Sequence, residues 1–181
     1  MIRNLRLISL LLIAVGLTLI SCSSKNYPYT TGEKAPVPID NQLSKYNFKI
    51  DFGKKHFSGI LAVRKMENDE IRILASAPFG MSFFDFGLYK DSIHVYSCIE
   101  PMRKKNVLKI LENDFSLLFI PDKGIKKTEI KEDCIKFVTG SFLSRTVITL
   151  CPLPDTRYIK IKHPWIRLML QLEKLDENNV E

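Results

Sequence analysis

The side chains in this chain that could carry chemistry are few and widely spaced. His56, His94 and His163 lie at least 38 residues apart, and none of them takes part in the close Cys/His spacing of a zinc site. The sequence has no Gly-x-Ser-x-Gly, no phosphate-binding loop and no His-Glu-x-x-His motif. Because catalysis needs acids, bases or nucleophiles that converge, we expect no catalytic site, no metal site and no cofactor.

The cysteines are the second group whose chemistry matters. One of the four follows the N-terminal apolar run, which leaves Cys98, Cys134 and Cys151 for at most one disulfide. A hairpin turning around residues 142–143 would place Cys134 opposite Cys151, close enough to bridge only in a pair that is not hydrogen-bonded. The more ordinary expectation is that all three cysteines are buried and reduced.

The N-terminal segment has the pattern of an export signal. Two arginines precede an apolar run over residues 7–20, which is shorter than the roughly 20 residues that span a bilayer as a single-pass anchor. The run ends in the tetrapeptide LISC at 19–22, which resembles the lipobox of bacterial lipoproteins, where the cysteine becomes the lipid-modified N-terminus. We predict that residues 1–21 are a lipoprotein signal peptide and that acyl chains on Cys22 anchor the protein to a membrane.

The residues after this cysteine predict where the protein resides and how it is attached. Ser23 and Ser24 resemble the outer-membrane sorting signal of some bacteria, in which an Asp would indicate inner-membrane retention. We expect a lipid-anchored protein of the cell envelope, in the outer membrane, with its domain facing the periplasm. The stretch from residue 23 to about residue 38 has three prolines, one glycine and no periodicity, so residues 22–40 are predicted to be a flexible tether.

The charge balance favours a membrane partner over a nucleic acid. The chain has 27 Lys and Arg against 20 Asp and Glu, and two arginines lie in the signal, so the mature chain carries +5. A basic surface on an exported lipoprotein fits attraction to anionic head groups better than nucleic-acid binding. The lysine pairs at 54–55, 104–105 and 126–127 could meet head groups or the acidic rim of a carrier. A solvated surface without a partner is the alternative.

Residues 41–176 are mostly typical of antiparallel strands. YNFKIDF and EIRILASA alternate apolar with polar residues, and HFSGILAVRKM, MSFFDFGLY and IHVYSC are joined by turns too short for parallel crossovers. Five further strands are predicted over 125–130, 133–139, 146–151, 157–162 and 165–175. Residues 177–181 are predicted to be a polar tail.

One segment has the period of a helix. Pro101 suits a first helical turn and Pro121 follows the end, so we predict an amphipathic helix over residues 101–119. Its apolar stripe comprises Val107, Leu108, Leu111, Phe115 and Leu118. The fold class that we expect is mainly β, an incomplete (open) antiparallel β-barrel of nine or ten strands with this helix plugging the concave face.

The order of these elements resembles a known superfamily. The segments FSGILAVRK, RILASAPFGMSFFDF and SIHVY, followed by one helix and C-terminal strands, are similar to the LolA/LolB-type lipoprotein carriers, most closely to LolB-like bacterial lipoproteins. The resemblance implies an incomplete barrel over an apolar cavity that accommodates acyl chains, with helices as a lid. It also implies an activity: taking lipoproteins from a periplasmic carrier and placing them in the outer membrane.

The same resemblance suggests which residues matter. Pro78-Phe79-Gly80 matches the Pro-Leu-Gly turn of LolB, whose Leu protrudes and helps to drive insertion, and this assigns that role to Phe79. The apolar cavity and its lid would be formed by Phe84, Phe86, Val107, Leu108, Leu111 and Phe115.

Two alternatives remain open at this point. Exposing a Phe side chain forgoes about 1.5 to 3 kcal/mol of burial, so Phe79 could instead lie in the core beside Phe83. The protein could also be a non-catalytic envelope module for binding or scaffolding, with the same fold, a cavity filled by side chains and no insertase activity.

Overall fold

The computed structural model describes residues 35–90, 92–121, 127–131, 133–141, 144–152 and 156–176. The predicted signal peptide, the lipobox with Cys22, residues 22–34 of the predicted tether and the tail at 177–181 lie outside the described residues, as do Lys126 and the turn residues 142–143. The last part of the predicted tether, residues 35–40, packs on the domain: Val37 is buried, and its N–H donates to the Leu118 carbonyl at 2.9 Å.

Ten antiparallel strands form one sheet in the described part of the chain. The strands are β1 (Ser44–Phe52), β2 (Lys55–Lys65), β3 (Ile71–Ser76), β4 (Ser82–Leu88), β5 (Ile93–Cys98), β6 (Lys127–Lys131), β7 (Cys134–Thr139), β8 (Thr146–Cys151), β9 (Tyr158–His163) and β10 (Leu168–Lys174), and the helix is α1 (Lys105–Phe119). The spatial order is β5-β4-β3-β2-β1-β10-β9-β8-β7-β6, so β5 and β6 are unclosed edges. The predicted mainly β, open antiparallel fold is therefore confirmed.

The helix begins later than predicted. Residues 101–104 form a separate turn, in which the backbone N–H groups of Met102 and Arg103 donate to the Ile99 carbonyl at 3.0 and 3.1 Å. The prediction that Pro101 opens the helix is therefore wrong, because these bonds close a turn before α1 starts at Lys105.

The last strand also begins later than predicted. Trp165 and Ile166 lie in the turn between β9 and β10, which is closed by the Ile166 N–H donating to the His163 carbonyl at 3.3 Å. Arg167 has a φ of 52°, a left-handed conformation that ends the turn and cannot continue a strand. The prediction of a strand from residue 165 is wrong for these three residues.

The concave face is filled mainly by aromatic side chains. Phe84 and Phe86 are fully buried and stacked with ring centroids 4.5 Å apart, and Phe115 of α1 lies 6.0 Å from Phe84. Every residue from Asp114 to Phe119 is buried. The second half of the helix therefore plugs the sheet, as predicted, and aromatic pairs of this kind add roughly 0.5 to 1.5 kcal/mol beyond their buried area.

A buried polar group fixes the helix to the sheet. Asp114 has no exposed surface, and both of its carboxylate oxygens lie 2.9 Å from Nε2 of His163 at the end of β9. Nδ1 of His163 lies 3.2 Å from the Thr146 hydroxyl of β8. Burial raises the pKa of Asp114, and the interaction with His163 opposes this rise. We call Asp114, His163 and Thr146 the helix clamp.

Two of the three cysteines are joined by a disulfide, contrary to the expectation that all three are reduced. Cys134 and Cys151 form a disulfide with a Cα–Cα distance of 4.5 Å, and Cys98 is the free cysteine. Ile135 pairs with Leu150, so the cysteines follow directly at the end of the β7–β8 ladder. The expectation of three reduced cysteines is wrong, and the alternative is confirmed because this register brings the two backbones close.

A polar cluster on the convex face ties the first strands together. Arg72 donates to both carboxylate oxygens of Asp85 at 2.5 and 2.7 Å, and its guanidinium lies 3.3 Å from the ring centroid of Tyr96. Glu70, which is only 4% exposed, accepts hydrogen bonds from Arg72 at 3.3 Å and Tyr89 at 3.0 Å. Because Asp85 lies on β4 and Tyr96 on β5, the cluster joins β3 to its neighbour β4 and to the edge strand β5 beyond it.

We expect Asp114→Ala to lower the free energy of unfolding by about 1 to 3 kcal/mol, because it leaves the buried Nε2 of His163 without its hydrogen-bond partner. Glu112→Ala, on a less buried part of the same helix, should change it by no more than about 0.5 kcal/mol. Urea denaturation of the two variants measures both values. Equal losses would contradict the helix clamp.

Candidate functional site

Most of the connections that could form a functional site lie at one end of the sheet. Because all neighbouring strands are antiparallel, the β1–β2, β3–β4, β7–β8 and β9–β10 connections emerge at the same end as the segment that leads from β5 to α1. We call it the Phe79 end. The β2–β3 and β4–β5 connections emerge at the opposite end, together with residues 35–43 that precede β1.

Phe79 lies at the tip of a tight turn at this end. The Gly80 N–H donates to the Ala77 carbonyl at 3.0 Å, and the Ala77 N–H donates to the Met81 carbonyl at 2.8 Å. Gly80 has a φ of 83°, which matches the three-residue hairpin loop that ends in a left-handed residue. The Phe79 side chain is 98% exposed, so the interpretation that it is buried in the core is wrong.

Phe79 is far more exposed than the aromatic residues that follow it in the chain. Phe83, two residues into the next strand, is 8% exposed and packs edge-on against Phe48 and Phe57, with centroids 5.8 and 5.7 Å away. Met81, beside Phe79, is 60% exposed. The hairpin therefore carries two large apolar side chains beyond the packed core.

A cavity of about 300 Å³ opens at the same end, between the β1–β2 hairpin and the start of α1. Its apolar walls come from β1, β2, β10, the turn before the helix and the first half of α1: Ile50, Phe52, Phe57, Pro101, Met102, Val107, Leu111 and Leu168. Lys54, Lys55 and Lys104 complete the lining, and all three are exposed. The lining therefore joins apolar walls to a cationic rim.

Only two of the six predicted lid and cavity residues line this cavity. Val107 and Leu111 line it. Phe84, Phe86 and Phe115 are fully buried and fill the concave face further along the sheet. Leu108, which is half-buried, packs against this core. The structure thus brings the first half of the helix to the cavity and the predicted phenylalanines to the core beneath it.

The start of α1 adds to the positive potential of the rim. Lys104 occupies the N-cap position without a side-chain capping bond, and the first turn contains no acidic residue. The positive end of the helix dipole therefore faces lysines, an arrangement that is unfavourable unless an anion compensates it. An amphiphile with an apolar chain and an anionic head group matches both the walls and the rim.

Sequence reasoning identified part of this rim. The lysine pairs at 54–55 and 104–105 were predicted to be able to meet head groups, and three of these four lysines line the cavity. The other six apolar lining residues, Phe57 and Leu168 among them, were missed, because their assignment depends on which turns converge at one end. In the described residues, no group of three or more acidic, His or Cys side chains could hold a metal ion.

The comparisons with known proteins assign no family. No family model matches the chain, and neither does any curated protein. None of the helices in the described ranges is long and apolar enough to cross a bilayer.

We expect Phe79→Glu to leave the free energy of unfolding within about 0.5 kcal/mol of the wild type, because the side chain is almost fully exposed. Phe84→Ala is the matched control and should cost about 3 to 5 kcal/mol, because it leaves a cavity in the core. Urea denaturation of the two variants provides the test. A loss of several kcal/mol in Phe79→Glu would mean that the residue has a packing role.

Proposed function

We propose that this protein binds acyl chains in the cavity at the Phe79 end and helps to place lipoproteins in the outer membrane. The observation that carries the proposal is the 98% exposure of Phe79 on a tight turn at the end where the cavity opens. A soluble surface gains nothing from such a side chain, whereas lipid would recover about 1.5 to 3 kcal/mol of burial. The role of Phe79 is to enter the bilayer next to the cavity mouth.

The cavity volume sets what it can hold. At about 30 Å³ for a water-sized group, 300 Å³ accommodates on the order of ten methylenes of one chain. Each methylene that leaves water contributes about 0.8 kcal/mol, so such a segment gains roughly 8 kcal/mol. Lys54, Lys55 and Lys104 lie where an anionic head group would remain at the rim.

The first half of α1 is the part of the lid that can move. Val107 and Leu108 are only half-buried, whereas Asp114 and the turns after it are fixed by the helix clamp and the aromatic core. Displacement of the first two turns about that clamp would enlarge the cavity without unfolding the sheet. A lipoprotein with more than one acyl chain would need this displacement.

Attachment to the outer membrane belongs to the same proposal. The LISC tetrapeptide supports acylation of Cys22, which would hold the domain close to the membrane that receives the cargo. A periplasmic carrier and other lipoproteins are the partners that this activity requires, together with membrane lipids. The proposed activity is non-covalent transfer, so it needs no catalytic residue.

One observation favours a second function. The concave face is largely filled by Phe48, Phe84, Phe86, Phe115 and Phe137, all fully buried. A concave face that is filled by side chains favours a non-catalytic lipoprotein that binds or scaffolds another envelope component and has no insertase activity. The two functions differ in whether other lipoproteins depend on this protein.

Conditional depletion followed by membrane fractionation tests the first function. We expect lipoproteins to accumulate in the periplasm or the inner membrane, and wild-type protein should restore their localisation. Phe79→Glu should fail to restore it, although it folds normally. Ile60→Glu is the matched control, since Ile60 is 39% exposed in the middle of β2, pairs with no acidic residue and should restore localisation fully.

Normal lipoprotein localisation after depletion would contradict the insertase function and leave the binding or scaffolding function. Full rescue by Phe79→Glu would remove the membrane role from Phe79.

A further inference from the structure

Formal charges are segregated between the two ends of the sheet. In the described connections at the Phe79 end, five basic residues face one acidic residue: Lys54, Arg103, Lys104, Arg145 and Arg167 against Glu100. The described connections at the opposite end reverse this balance, with six acidic and two basic residues: Asp40, Glu67, Asp69, Glu70, Asp133 and Asp176 against Lys90 and Arg157. At the opposite end Lys65, Arg72 and Arg157 pair with Asp69, Glu70 and Asp176, so the asymmetry between the two ends comes mainly from the basic residues of the Phe79 end.

The Phe79 end also carries a second exposed apolar turn. Trp165 is 53% exposed and Ile166 is 40% exposed in the β9–β10 turn. Four strand spacings separate this turn from the β3–β4 turn, on the order of 20 Å along the sheet. Phe52, at the end of β1 between the two turns, is 38% exposed. Apolar side chains therefore stand at several points along one rim of the sheet.

A groove beside the Trp165 turn has the chemistry of a head-group site. It has a volume of about 510 Å³ and runs between α1 and the β7–β8 and β9–β10 connections. Among the described lining residues the charged ones are Lys109 and Arg145, with His163 of the helix clamp in the wall and no carboxylate. Arg and Lys donors suit phosphate oxygens, and Trp prefers the boundary between head groups and acyl chains.

We propose that the Phe79 end is a docking face for an anionic lipid bilayer, with the Trp165–Ile166 turn as a second contact besides Phe79. The basic side chains of the Phe79 end attract anionic lipid more strongly than the mixed charges of the opposite end, so the domain docks in one orientation. Two contacts separated by about 20 Å along the sheet fix the tilt in that direction, which one side chain could not do. The inference rests on the membrane role of Phe79 in the proposed function and adds a second contact and one orientation, and docking itself requires no acyl chain in the cavity.

The chain contains a single tryptophan, so the fluorescence of Trp165 reports on this face directly. The full chain is reconstituted into vesicles of phosphatidylcholine alone or mixed with phosphatidylglycerol, with and without brominated acyl chains. We expect a blue shift and quenching by the brominated chains in the anionic vesicles, much weaker effects in the neutral ones, and loss of both at high salt.

Matched charge variants test the orientation. Lys54→Gln and Arg145→Gln should each weaken docking about fivefold, since one basic residue near an anionic surface contributes roughly this factor. Lys45→Gln removes an exposed lysine near the opposite end of β1 and should leave docking unchanged.

Three results would overturn the inference: no quenching in anionic vesicles, equal quenching in neutral vesicles, or equal weakening by the Lys45 and Lys54 variants. Because the readout needs neither cargo nor carrier, docking can succeed while lipoprotein transfer fails. The two proposals are therefore tested separately.

Discussion

Antiparallel pairing of every neighbouring strand decides where each connection of this molecule emerges. The sheet register sends five connecting segments to one end, and these segments hold Phe79, Trp165, the cavity rim and most of the basic connection residues. A slip of one residue in any strand would turn its apolar side chains away from the core. The strong alternation in strands such as β1, where Tyr46, Phe48 and Ile50 are all buried, therefore stabilises the whole arrangement.

The helix divides into a fixed half and a half that borders the cavity. From Asp114 onward it is buried and held by the helix clamp, whereas its first turns carry Lys105 and half-buried Val107 without a side-chain cap. The start of α1, which is a poor helix terminus, is also the part of the helix that lines the cavity. Local conflict of this kind is expected at functional sites and is offset by stable packing elsewhere.

Much of the fold could be predicted from the sequence because its determinants are local. The alternation of apolar and polar residues predicted the strands, and the apolar stripe predicted the start of α1 to within four residues. The sequence allowed a strand register in which Cys134 lies opposite Cys151. Only the three-dimensional structure shows that the two residues are close enough to form a disulfide. Trp165 was misplaced in a strand, because the turn depends on the left-handed Arg167.

The site was less predictable than the fold. The exposure of Phe79 could not be decided from its residue type, since a neighbouring Phe-rich strand is equally consistent with burial. His163 looked isolated in the sequence, yet it joins Asp114 across 49 residues to hold the helix. The lysine rim needs two segments that are distant in sequence, the β1–β2 hairpin and the turn before α1, to meet at one end of the sheet.

The central claim is that an acyl chain enters the cavity between the β1–β2 hairpin and the first half of α1. Isotope-filtered NMR with methyl-labelled protein and unlabelled lysophosphatidylglycerol, below its micelle concentration, tests it most directly. The account predicts nuclear Overhauser contacts from the acyl methylenes to the methyl groups of Val107, Leu111 and Leu168. Binding without contacts to these three residues, or no binding at all, would contradict it.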